Sequence, residues 1–218
     1  MLRKFGFPTI AVTLIVVLAA WWTRISLSLS LETPSELKTS RIEAAPMCPW
    51  REPDADLRAF FPEATRYETE TRILSGLRVE LADRLGRMPT AEENALHLYR
   101  VFREQEPIGT ILIRRVKGEY GAMEIVLAVS QNAQVRGVRL QRSREPESVA
   151  NIIERPSWLN AFQGKEVQDK WVLGLNIPEV PDEARTSAKA IVDGVRSLLI
   201  LLDTAGNPNA ITTRSHHP

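Results

Sequence analysis

One cysteine and three histidines in 218 residues leave little material for thiol or metal chemistry. Cys48 by itself rules out an internal disulfide framework, and with it a cysteine-based zinc or iron–sulfur site within this chain. His97, His216 and His217 are too scattered for a metal cage, and the pair near the C-terminus reads as part of a disordered end. A surplus of either charge is missing too, since the net charge is +1. The first 31 residues hold Arg3, Lys4 and Arg24 and no acid, so the remainder is near −2. With no basic excess, nothing argues for nucleic acid. No Ser/His/Asp or Cys/His set assembles around His97, so an anchored hydrolase has no supporting constellation. Internal repeats and low-complexity tracts are also absent.

What the chain does have, at its start, is a long apolar run. Residues 5–22 carry no charge and follow Arg3-Lys4. Eighteen residues at a helical rise span ~27 Å, close to the hydrocarbon thickness of a bilayer. Trp21-Trp22 suits an interfacial aromatic belt, and the leading basic pair predicts a cytoplasmic N-terminus. The expectation is a single-pass anchor in the inner membrane, contacting the lipid bilayer through residues 5–22, with the rest of the chain on the periplasmic side. The alternative is a cleaved signal peptide, because Val17-Leu18-Ala19 resembles a cleavage site.

The organisation expected beyond it is an anchor over 1–31, a stalk over 32–53, a folded domain over 54–203 and a disordered tail over 204–218. The stalk is rich in Ser, Thr, Glu and Pro without sustained periodicity. It contains Met47-Cys48-Pro49-Trp50, where Cys48 is either an unreactive thiol or a point for redox chemistry or lipid attachment. Asp54 to Phe61 reads as a short helix stopped by Pro62. Arg72 to Met88 places Leu74, Leu77, Leu81 and Leu85 on one face and predicts a helix ending near Gly86.

From Asn94 the period changes to that of strands. Leu96–Phe102 and Ile108–Arg115 are β-rich and joined through Arg103 to Pro107. Met123–Val129 and Gln134–Leu140 form a second pair around Ser130 to Asn132. Four successive strands with short turns predict an antiparallel sheet of four or more strands, and flanking helices make the fold class α+β. His97 falls on the alternate face of its strand, as a surface or satisfied histidine. Ser157 to Lys165 reads as a short helix ending at Gly164. Trp158, Phe162 and Trp171 are core or rim aromatics, or alternatively stacking partners for a flat ligand.

The last long segment is the most regular. Ala184, Ala188, Ile191, Val192, Val195, Leu198, Leu199 and Leu202 recur at helical spacing behind Pro181-Asp182. Asp182 is the expected N-cap of a helix of about six turns. A helix N-terminus offers unpaired N–H groups and a partial positive charge, a natural seat for phosphate.

Taken in order, these pieces resemble the FMN-binding-domain family, whose members include the G subunit of the Rnf electron-transport complex and the C subunit of the sodium-pumping NADH:quinone reductase. The resemblance covers roughly Asn94 to Asp203. It rests on Pro107-Ile108-Gly109, Gly118-Glu119-Tyr120-Gly121, Val135-Arg136-Gly137, Arg144-Glu145-Pro146, Trp158 to Lys165 and Leu173-Gly174-Leu175-Asn176-Ile177. It implies a domain holding FMN as an electron relay within a membrane complex, an electron-transfer component rather than a stand-alone catalyst. The cofactor-binding residues it implies are Tyr120, Gly121, Glu145, Ala184, Arg185, Thr186, Ser187 and Lys189.

In many members of the family the flavin phosphate is joined to the threonine of a Ser-Gly-Ala-Thr motif opening the last helix. Here that motif becomes Asp182-Glu183-Ala184-Arg185, and a slip of one residue is needed to bring in Thr186. Glu183 sets a negative charge where a phosphate would rest. At ~4 Å and an effective dielectric of about 20, that repulsion is on the order of 4 kcal/mol. Glu145-Pro146-Glu147 also lacks the glycine usual just beyond the proline. The expectations are therefore FMN held without a covalent link by Arg185 and Lys189, or a cofactor-free assembly subunit that keeps the fold with Asp182 and Glu183 capping the helix. Covalent attachment is the least favoured.

Overall fold

The structure, a computed structural model, describes residues 54–206 and the backbone of 211–215. The expected membrane segment, the stalk with Cys48, and His216 and His217 lie outside the described residues. No helix among the described residues is long and apolar enough to cross a membrane.

In chain order the elements are α1 (Asp54–Phe60), β1 (Arg66–Ile73), α2 (Arg78–Leu85), β2 (Ala95–Arg103), β3 (Glu106–Lys117), β4 (Ala122–Ser130), β5 (Val135–Ser143), α3 (Glu147–Ile153), α4 (Pro156–Leu159), α5 (Asp182–Ala205) and β6 (Ile211–Ser215). The strands make one six-stranded sheet in the order β5-β4-β3-β2-β1-β6. All neighbours are antiparallel. The α+β class read from the sequence holds, and the four strands expected from it are β2 to β5.

Two strands were not expected. β1 reads Arg-Tyr-Glu-Thr-Glu-Thr-Arg-Ile and buries only Glu70 well, so it has no apolar alternation to announce it. β6 falls in the stretch expected to be a disordered tail, where it pairs Ile211 to Ser215 with β1. The expected helix over Arg72 to Met88 is correspondingly shorter. Arg72 and Ile73 belong to β1, Ser75–Leu77 forms a 3-10 turn, and only then does α2 begin. It closes at Gly86, which takes φ 71 and donates its N–H to Ala82, a left-handed stop suited to glycine.

Turns depart from expectation in detail. The β2–β3 connection is tighter than Arg103 to Pro107, with Glu104 at φ 55 and Pro107 already inside β3 opposite Phe102. A register shift beside Phe102 accommodates the proline, which has no N–H to give the ladder.

The main core lies between one sheet face and α5. β4 is buried along nearly its whole length, as a central strand covered on both faces must be. Ala184, Ala188, Ile191, Val195 and Leu198 of α5 pack down onto Met123, Ile125 and Leu127. Gly194 lets the helix approach, since a Cβ there would lie 2.7 Å from Val116 Cγ1. On the opposite face, Leu57 and Phe61 cover Val101, Ile111, Val126 and Ala128 in a smaller core. Trp158, Phe162 and Trp171 are buried in the main core, with ring centroids 5.3 Å and 6.1 Å apart in succession. They are core aromatics.

Asp182 is the first residue of α5 rather than its N-cap. Pro181 occupies the cap position, and the cap makes no side-chain hydrogen bond. The Asp182 side chain is 97% exposed and faces Arg185 at 3.5 Å instead. Proline there fixes an extended entry into the helix and displaces the acid one position inward.

Candidate functional site

The β3–β4 hairpin and the end of β5 meet over the second turn of α5. Gly118 N–H closes the hairpin loop onto Gly121 O at 2.8 Å. Arg144 N–H bonds Ala122 O at 3.1 Å, which brings Glu145 beneath that loop. Glu145 N–H also donates to Ser143 Oγ at 3.1 Å, fixing the backbone just before Pro146 opens α3.

There the Glu145 carboxylate is enclosed by donors. Oε1 accepts the N–H of Tyr120 at 3.3 Å and of Gly121 at 3.2 Å. Oε2 accepts the Ser187 hydroxyl at 2.8 Å. Ser187 Oγ in turn accepts Glu119 N–H at 3.0 Å. Gly118 makes room for all of this, because a Cβ at that position would stand 2.3 Å from Glu145 Oε1 and 2.8 Å from Ser187 Oγ. Successive backbone N–H groups converging on one point form an anion seat. In this chain the anion is its own carboxylate, 8% exposed.

The eight implied site residues therefore divide. Tyr120, Gly121, Glu145 and Ser187 come together, but through bonds to one another, and the Tyr120 ring is left 60% exposed. Ala184 is buried in the core. Arg185, Thr186 and Lys189 lie on the outward side of α5, all exposed. They line an open cleft of about 500 Å³ against Trp171, Val172 and Leu173. Periodicity at the helix start could not separate these two groups, since it takes knowledge of where the hairpin loop lands to see which side it covers.

The outward cations are not free for a phosphate. Arg185 holds Glu179 at 2.9 Å as well as Asp182 at 3.5 Å, and Lys189 holds Asp193 at 2.6 Å. Glu179 was not expected to take part. It lies against the turn at Gly174, which has φ 83 and where a Cβ would stand 2.5 Å from Glu179 Oε2. With Glu183 also exposed on the first turn, acids match or exceed the cations around this helix start.

A flavin phosphate at the start of α5 would meet Arg185 and Lys189 already paired with acids, the Glu183 carboxylate of the first turn, and loop N–H donors that already serve Glu145. Elsewhere, His97 is a satisfied histidine, with Nδ1 2.8 Å from Thr71 Oγ1. Burial lowers its pKa, which favours the neutral ring.

No family model matches the chain, and no curated protein matches it. Among solved structures it is similar to the crystal structure of Shewanella oneidensis NqrC, at 13% identity and a TM-score of 0.45, over 70% of this chain and 87% of that one. A likeness at that level assigns neither family nor activity.

Proposed function

We propose that this chain is an FMN-binding-domain-like subunit of a membrane electron-transfer assembly that carries no covalently linked flavin and acts as a docking component. The order of motifs from Asn94 to Asp203 supports the domain type, and the apolar run at 5–22 supports an anchor in the inner membrane with the domain outside. One observation carries the reading: Glu145 fills the anion seat formed by Tyr120, Gly121 and Ser187. A buried carboxylate bonded this way cannot be displaced without stranding either itself or its donors.

The test is the absorbance spectrum of the chain purified from membranes, read before and after acid precipitation. The expected result is no flavin colour in the precipitate, together with co-purification of other membrane subunits. Colour retained by the precipitated protein overturns the proposal and makes Thr186 the acceptor to replace.

A second reading is favoured by the cleft beside Trp171. FMN would sit there without a covalent link, its phosphate drawing Arg185 and Lys189 from their exposed acid partners, pairs that contribute only about 0–1 kcal/mol each. Flavin colour that is present in the native protein and released on precipitation selects it. When bound, the flavin would supply one- or two-electron transfer, and the chain's part would be to place it.

A further inference from the structure

The ladder between β2 and β3 runs only from Arg103 opposite Glu106 back to Leu98 opposite Leu112. Beyond that point β2 continues along β1 as far as Ala95, while β3 continues along β4 as far as Lys117. The sheet forks, and the fork is open. It holds a cavity of about 330 Å³ with an apolar lining that includes Leu96, Tyr99, Ile113, Leu198 and Leu201. That volume sits at the small end of the ~300–1,000 Å³ typical of ligand pockets.

At Ala91, Glu92, Arg114 and Arg115 this cavity shares its lining with a larger groove of about 690 Å³ between β3 and α5. The groove is cationic. Arg87, Arg114, Arg115, Lys117 and Arg196 line it against only Glu92 and Asp193. Two of these arginines are held in place by one enclosed carboxylate. Glu93 accepts Arg87 at 2.7 and 2.8 Å, Arg114 at 2.6 Å and Thr90 N–H at 2.8 Å. Each guanidinium keeps further N–H donors, and their fixed geometry lowers the entropic cost of gripping an anion. Arg196 donates to a carbonyl, Arg84 O, and among the described residues Arg196, Arg115 and Lys117 form no close ion pair.

We infer that the fork and groove form one binding site for an amphiphilic phosphomonoester, with its small apolar body in the fork and its phosphate among the arginines. Phosphate suits the place because a dianion can engage several guanidiniums, and bidentate Arg–phosphate geometry is strong. The site is separate from the α5 cleft and stands whether or not a flavin is held there.

Calorimetry on the full chain in neutral nanodiscs, corrected against empty discs, tests it with octyl phosphate and 1-naphthyl phosphate. Each is compared with its parent alcohol and with inorganic phosphate. At least one phosphomonoester is expected to bind at least about tenfold tighter than all three controls. A preference for the octyl compound assigns a lipid-derived ligand, and a preference for the naphthyl compound a soluble aromatic one. The combined R115Q, K117Q and R196Q variant breaks no carboxylate pair, so it should stay folded and lose at least about tenfold in affinity. R103Q, at the far hairpin, and K189A, in the α5 cleft, should leave affinity within about twofold. Equal binding of phosphomonoesters and controls, or an unchanged triple variant, overturns the inference.

Discussion

The inner and outer sides of the same two turns of α5 are built on opposite terms. Inside, Ser187 and Glu145 share a closed set of bonds with three backbone N–H groups, out of water. Outside, Arg185 and Lys189 lie in solvent, each tied to acids that water can replace. Enclosed bonds resist loss because an abandoned partner cannot find water, whereas exposed pairs are nearly interchangeable with hydration. The inner side therefore specifies the fold, and the outer side is free to change with function.

The sharpest way to break this contrast is Gly118→Ala. Its Cβ would strike both Glu145 and Ser187 and force the carboxylate from its seat. A loss of about 3 kcal/mol is expected, seen as a lower urea midpoint. A loss below about 0.5 kcal/mol would show that the seat is not the fixed point described.

A second enclosed carboxylate extends the comparison to pH. Arg87, Thr90 and Arg114 hold Glu93 down to about 2, from an ordinary value of 4.5, against the opposing effect of burial. Because the folded-state value is the lower one, the unfolded chain binds the extra proton. The stabilisation is thus complete above pH 4.5 and disappears as the pH falls towards 2. It amounts to about 2 kcal/mol, less than the full shift implies because the Arg87 side of the pair meets solvent. Glu93→Gln should remove that amount at neutral pH and flatten the stability profile over the acid range, as followed by urea unfolding at a series of pH values. A profile as steep as the parent's would assign the acid sensitivity to other groups.

The smallest effect belongs to the outer side. Thr186→Ala and Arg185→Ala should each change stability by no more than about 0.5 kcal/mol. A larger loss on thermal melting would mean that the outer turn is structurally committed after all.

How much of this could be read beforehand follows from the same physics. α5 was legible because it lays apolar residues at a helical period against the core, and β2 to β5 because they are apolar, β-rich runs set off by turn residues, β4 an almost unbroken one. β1 was hidden because alternating Thr, Glu and Arg leave both its faces polar, and Glu70 takes an inward place beside Arg72, 2.6 Å away. The helix at Arg72 was read too long because Leu74, Leu77, Leu81 and Leu85 keep helical spacing across a 3-10 turn. At the site, the resemblance named Tyr120, Gly121, Glu145 and Ser187, which the structure brings together, but gave them an external anion to hold. That Glu145 supplies the anion depends on the contact between the residues just after β5 and a helix position 42 residues further on, which no local pattern encodes. The acids expected to cap α5 do not do so, since Pro181 holds the cap position.

The pairing of β6 with β1 has a practical consequence. Those five residues cover the hydrogen-bonding groups along one side of β1, opposite Thr69 to Ile73. Trimming the chain after Gly206 would leave that border of the sheet bare, an invitation to stack strand on strand with another molecule. Expression boundaries are best set beyond Ser215.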